Sequence, residues 1–261
     1  MLLPTMTLDE IYKAVYADES FIMRKLYESA KDFGRRALKC TQYPYKHKYV
    51  CKSYKSNIEY TMYFRCFKRR QWDNPLYCVV TSYSHEDGTT ALAIGLENKI
   101  LSVFTSHFWS RFRERYLEDM SRPIQESIDF FFINSNSQGV VDGVMRQNTD
   151  RYVPNENVQY YAVANCLGVC FCEKECDNDN VEIYNTYLPL RMLADEQHKK
   201  VIPMYVAAYF KDYVTQNPNE KAKIDKLIDD WCSEGDAQNW SMKRFVAESE
   251  KLMDEYPLYV I

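Results

Sequence analysis

Three runs rich in β-branched and aromatic residues, 58–67, 76–83 and 89–96, constrain this chain most, because only short turn segments separate them. Asp73-Asn74-Pro75 fills the first gap and His85-Glu86-Asp87-Gly88 the second. Proline, glycine and Asx residues reverse a chain tightly. Strands joined so closely pair antiparallel, since a parallel return needs a crossover of about a dozen residues or more. An antiparallel meander is expected.

Helical patterns flank it. Thr7-Leu8-Asp9-Glu10 joins an N-cap threonine to early acids, and apolar residues then recur at helical spacing to Leu38, with a break at 17–20. Residues 98–103 are a short apolar run, and Thr105 or Ser106 can cap a helix reaching Tyr116. Pro123 ends or restarts that helix, and 124–134 and 142–147 continue the helical part. Three further strands are expected at 158–165, 169–175 and 181–188, turned by Cys166-Leu167-Gly168 and Asp177-Asn178-Asp179-Asn180. From Leu190 onward the pattern is helical, with caps near Asn217 and at Asn239-Trp240-Ser241. The expected class is α+β: N-terminal helices, an antiparallel β-sheet with packed helices, and a helical C-terminal third. Residues 1–190 read as one α+β body and 191–261 as a helical appendage packed on it.

With 46% hydrophobic and 27% charged residues in 261, the composition is that of a globular protein with a substantial core. No apolar run reaches the roughly 18 residues a spanning helix needs, so no membrane partner is expected and a cytoplasmic location is. Nine cysteines are an odd number in a chain that does not need disulfides to fold, which points to reduced thiols.

The net charge of −4 argues against a general nucleic-acid binder, but its distribution is uneven. Residues 31–72 hold twelve Lys/Arg against Asp32 and Glu59, a local charge of +10 that leaves −14 elsewhere. Aromatic residues interleave these cations, among them Tyr43, Tyr45, Tyr49, Tyr54, Tyr60, Tyr63, Phe64, Phe67 and Trp72. Cations with stacking rings suit a single-stranded nucleic acid, with Lys46, Lys48, Lys68, Arg69 and Arg70 as candidate contacts. The alternative is a half-buried strand whose rings face a core and whose lysines face water.

A second cationic feature lies in Thr105-Ser106-His107-Phe108-Trp109-Ser110-Arg111-Phe112-Arg113-Glu114-Arg115-Tyr116. Residues four apart on a helix differ by about 40°, so His107, Arg111 and Arg115 share a stripe about 80° wide. Arg113 lies roughly 120° from His107 and reads as a surface residue. Imidazole exchanges protons near neutral pH, and guanidinium matches phosphate oxygens, so the stripe suits phosphodiester chemistry. The competing reading is a solvated basic helix face anchored by Phe108, Phe112 and Tyr116.

The order of a short strand, a helix of the form H-x-x-x-R-x-x-x-R, and later strands ending in Asn185-Thr186-Tyr187 resembles the barnase–EndoU–RelE-like ribonuclease superfamily, over roughly residues 89–193. That resemblance implies metal-independent RNA cleavage by 2′-hydroxyl attack. It casts His107 as general acid or base, Arg111 and Arg115 as stabilisers of the phosphorane, and Thr186 as a phosphate-oxygen ligand. Residues 118–157, the N-terminal meander and the C-terminal helices fall outside the family pattern.

Cys166, Cys170, Cys172 and Cys176 are spaced x3, x1, x3 rather than in C-x2–4-C pairs, so buried apolar positions are favoured over a zinc site, and no metal or cofactor is expected. His47 lies in the basic stretch, His85 in a turn and His198 on a solvent-facing helix turn. A Gly-rich phosphate loop, a G-x-S-x-G elbow and H-E-x-x-H are all absent. The reading is an RNA-directed protein, with ribonuclease activity implied by the resemblance. The alternative is a non-catalytic binding or assembly protein that meets a partner through its acidic C-terminal helices.

Overall fold

The computed structural model describes residues 1–135, 139–142, 157–175, 180–193, 195–238 and 240–256. Helix α1, Leu8–Tyr16, starts in a capping box: Thr7 Oγ1 accepts from Glu10 N at 3.3 Å, and Glu10 Oε2 accepts from Thr7 N at 2.8 Å. After the break, α2 spans Glu19–Lys39 and buries Ile22, Leu26, Phe33 and Ala37. Asp18 between the two helices is buried and accepts from Tyr60 Oη at 3.0 Å, which ties the break to the sheet.

Five antiparallel strands follow: β1 Tyr45–Lys52, β2 Glu59–Cys66, β3 Leu76–His85, β4 Gly88–Ile94 and β5 Leu101–Phe104. The meander is therefore longer than the three expected runs. β1 occupies the basic stretch, and His85, expected in a turn, ends β3 opposite Gly88, whose φ of 124° suits glycine. α3 is Ser106–Phe112, continued by a π-helical turn at Arg113–Leu117, and α4 is Ile124–Asn134, restarted by Pro123. Next come β6 Gly139–Asp142, β7 Val158–Asn165, β8 Gly168–Glu175 and β9 Val181–Leu188. Asp142 ends a strand rather than opening a helix, and 143–147 lie outside the described residues. α5 Asp195–Gln216, α6 Lys221–Ala237 and α7 Met242–Glu255 complete the described chain. The class is α+β, with a helical C-terminal third.

Among the described residues the strands form one nine-stranded sheet in the order β1-β2-β3-β4-β5-β9-β8-β7-β6. All pairings are antiparallel except β5 with β9, where the crossover through α3 and α4 joins the two halves side by side. Side chains alternate across the sheet. On one face Met62, Leu92, Val103 and Val181 pack under α1 and α2, and farther along Ala162, Val169 and Phe171 pack against Val201 and Tyr205 of α5. On the other face Tyr63, Val80, Phe104, Val163, Cys172 and Tyr184 form a core with α3 and α4. The apolar stripes of α6 and α7 turn inward: Ile224, Trp231, Val246 and Leu252 pack with Ile202, Val206 and Phe210 of α5. No helix among the described residues is long and apolar enough to cross a membrane.

Candidate nucleic-acid interface

α3 begins where the two halves of the sheet meet. Thr105 Oγ1 caps it by accepting from Phe108 N at 3.2 Å, while Thr105 N donates to the Tyr184 carbonyl at 3.2 Å. Phe108, Trp109 and Phe112 are fully buried and pack against Phe104, Phe131 and Tyr187. The opposite stripe carries His107, exposed, with Arg111 and Arg115 each partly exposed.

Both guanidinium groups are engaged. Arg111 Nη1 meets Glu114 Oε2 at 2.6 Å, and Arg115 Nη1 donates to the Tyr187 carbonyl at 2.9 Å. Glu114 thus lies among the stripe's cations. The Arg111 hydrogen bond holds its carboxyl below the usual range, and the charges of Arg111, Arg115 and His107 add to that. The Arg115 guanidinium is itself pushed down, first by burial and then by Arg111. Arg113, expected on the open surface, is half-buried and donates to the carbonyls of Met120 at 3.2 Å and Arg122 at 3.1 Å.

Thr186 is not brought to this stripe. β9 carries a bulge opposite Phe171/Cys172, where Thr186 pairs with Phe171 but Tyr184 pairs with Cys172. Phe171 faces α5, so Thr186, 9% exposed, faces α5 as well; Tyr187, paired with Cys170, faces α3.

In the basic window the rings serve the core. Tyr45 and Tyr49 pack on Phe33 and Phe64, and Tyr60, Tyr63, Phe64 and Phe67 are buried. Lys46 Nζ donates to Asn134 Oδ1 at 2.5 Å, and burial, with the Arg65 charge adding, lowers its amine to about 8. Lys48 pairs with Asp129 of α4. His47 sits edge-on to Tyr49, and burial pushes its imidazole down.

Other cations of the window remain at the surface. Lys31, Arg35 and Lys39 repeat every fourth residue on α2 and are exposed, as are Arg69 and Arg70 on the 3-10 turn Arg69–Gln71; Lys68 is partly exposed. Gly34 joins the two groups. A Cβ at Gly34 would lie 2.7 Å from the Trp72 carbonyl oxygen, so only glycine lets the turn approach the helix this closely. Gln71 fixes the turn from its other side: its Oε1 accepts from Phe67 N at 2.8 Å and Lys68 N at 3.1 Å, and its Nε2 donates to the Thr215 carbonyl of α5 at 3.2 Å. Trp72, 39% exposed, sits beside these cations. Gly34 and Gln71 were not singled out in the sequence, though a glycine inside a helical pattern is the signal that marks such a close approach.

Cys170 and Cys172 face the aromatic core beneath α3, where burial pushes both thiols well up, and Cys166 Sγ contacts the Asn134 carbonyl at 3.4 Å. Cys176 and the His198 side chain lie outside the described residues. Among the described residues no group of three His, Cys, Asp or Glu is arranged to hold a metal. No protein-family model matches the chain, and neither a curated protein nor a solved structure matches it.

Proposed function

We propose that this chain is an RNA-directed binding protein whose phosphate contacts come from Lys31, Arg35 and Lys39 of α2 together with Lys68, Arg69 and Arg70. The observation that supports this is the Gly34–Trp72 contact, which sets two exposed cationic groups side by side on rigid elements. Cations held at a surface bind phosphate by releasing condensed counterions, and the half-exposed Trp72 ring offers a stacking platform for an unpaired base. The remainder of the chain is strongly acidic, which confines the backbone to this one face. Fluorescence anisotropy with a labelled single-stranded RNA of mixed sequence tests the reading. Six phosphate contacts correspond to a log–log salt slope of about −4. Absence of binding at low salt ends it.

A second reading, RNA cleavage by 2′-hydroxyl attack, is favoured by the exposed imidazole of His107 one turn from Arg111. On this geometry the reacting phosphate meets His107 and Arg111 without the Thr186 side chain. Cleavage that persists in EDTA, fails on all-deoxy substrate and drops by ~10²–10⁴ in His107→Ala would establish it. Intact RNA across a pH series leaves the chain a binding protein. The apolar stripes of α6 and α7 are packed internally, so a protein partner at the C-terminal helices would meet their charged outer faces.

A further inference from the structure

The face of the sheet that carries α3 and α4 is not filled throughout. Where β3, β4 and β5 lie side by side, that face carries the small side chains of Cys78, Ala93 and Ser102, and a cavity of about 210 Å³ stands over them. Its walls include Tyr63, Phe104, Phe131 and Phe132. An outer crevice of about 640 Å³ shares Tyr77, Cys78, Ala93 and Ser102 with it and is rimmed by Asn98 and Glu182. The two spaces share a floor, which gives the inner one a route to the surface.

Arg65 lines the inner cavity and is only 6% exposed. Its Nη2 donates to the Ser135 carbonyl at 3.2 Å and its guanidinium lies 5.4 Å from the centre of the Phe67 ring. Its Nε–H has no hydrogen-bond partner among the described residues. A buried donor without an acceptor costs about 1–3 kcal/mol, more when it belongs to a charged group. Local charge is unbalanced in the same sense. Lys46 pairs across from Arg65 in the β1–β2 ladder, and Asp212 of α5 is the acid whose field reaches Arg65. Lys46 and Arg65 therefore set two cations side by side, each disfavoured by burial, and an anion at Arg65 Nε would offset that charge.

We infer that this cavity is a binding site for a small aromatic monocarboxylate, its charged end on Arg65 Nε and its ring among Phe104, Phe131 and Phe132. Size supports the choice: a dry cavity of about 150 Å³ accepts benzene, so the inner space holds a ring with one carboxylate. The walls are edges and faces of rings, which suit an aromatic body. Glu97 and Glu182 on the outer crevice repel a second carboxylate, which selects against dianions. The inference is independent of RNA binding, because the cavity uses neither α2 nor the turn at 69–71.

Calorimetric titration of the full chain with benzoate, benzamide, terephthalate and inorganic phosphate tests it. Benzoate is expected to saturate at one site, with benzamide and terephthalate at least about tenfold weaker and phosphate silent. Equal binding of benzamide would remove Arg65 from the recognition. Binding of phosphate as tight as benzoate would remove the rings. Because Arg65 is buried, Arg65→Met is judged only beside Ser102→Leu, which fills the cavity floor and leaves the charges in place. Ser102→Leu, folded by circular dichroism, is expected to lose benzoate binding. Unchanged benzoate affinity in that variant, or no heat with any carboxylate in the wild type, overturns the site.

Discussion

Two cationic surfaces of this molecule start from the same sequence device, basic residues four apart on a helix, and end differently. On α3 the stripe of His107, Arg111 and Arg115 is set against a carboxylate and a backbone carbonyl that take up both guanidinium groups. On α2 Lys31, Arg35 and Lys39 stay exposed, and the Gly34–Trp72 contact adds Arg69 and Arg70 beside them. Spacing alone puts charges on a common face; whether they meet a ligand depends on what else reaches that face. α3 is a structural hinge pin between the two halves of the sheet, and its cations fasten its open side.

The largest expected effect tests that structural role. Phe112 is fully buried among Phe108, Trp109, Phe131, Tyr116 and Tyr187. Phe112→Ala is expected to cost about 3–5 kcal/mol in urea unfolding, the range for a buried ring replaced by a cavity. A loss below about 1 kcal/mol would mean that α3 is not anchored as described.

Charge reversal on the other surface comes next. Arg69→Glu with Arg70→Glu is expected to weaken RNA binding by about 10- to 100-fold near 50 mM salt and to flatten the log–log salt slope by about 1.4, from two lost phosphate contacts. Stability should change little, because both side chains are exposed. The same reversal at Arg111 should leave RNA binding nearly unchanged. If the α3 reversal is the damaging one, the comparison is inverted and the ribonuclease reading gains.

Arg115→Met separates fastening from function. The guanidinium bond to the Tyr187 carbonyl crosses from the π-helical turn to β9. Its loss is expected to cost about 1.5 kcal/mol of stability, the low end of the range for a hydrogen bond from a charged donor, because Arg115 is partly exposed. RNA affinity is expected to hold.

Much of the frame is legible in the sequence alone. Thr7 and Glu10 announced α1, the turn residues announced the β2–β3–β4 meander, and Thr105 announced the start of α3. These are local signals, carried by residues within a few positions of each other. β1 was harder to read because its alternation sets Lys46 and Lys48 against Tyr45, His47 and Tyr49; both lysines bond to α4, Lys46 partly buried and Lys48 still exposed. The β5–β9 parallel pairing joins segments about eighty residues apart and leaves no local mark. Thr186 shows the limit most clearly. Without the extra residue at Asn185, Thr186 would share the face of Tyr184 and α3, as simple alternation suggests. One bulge reverses the parity and sends it to the α5 face, and nothing in Asn185-Thr186-Tyr187 encodes that shift.

The smallest expected effect probes the one carboxylate that distinguishes the two surfaces. Glu114 has its pKa depressed in the folded state, chiefly by the Arg111 hydrogen bond, so its contribution to stability is present above the unfolded value near 4.5 and is lost as pH falls through the lower folded value. Glu114→Gln removes that titration. The variant should melt slightly below the wild type at pH 7, and the two melting curves should converge as the wild-type carboxyl becomes protonated in acid. The side chain is solvent-exposed, so the difference is small and shrinks further in high salt. Removing Glu114 also releases the Arg111 fork, which makes the α3 stripe more like the α2 face. A modest gain in RNA affinity for Glu114→Gln, largest at low salt and erased by adding Arg111→Gln, would show that carboxylate pairing is what silences α3. An affinity unchanged by Glu114→Gln at every salt concentration would show that the burial and backbone bond of Arg115, rather than the Glu114 pair, keep this stripe from nucleic acid.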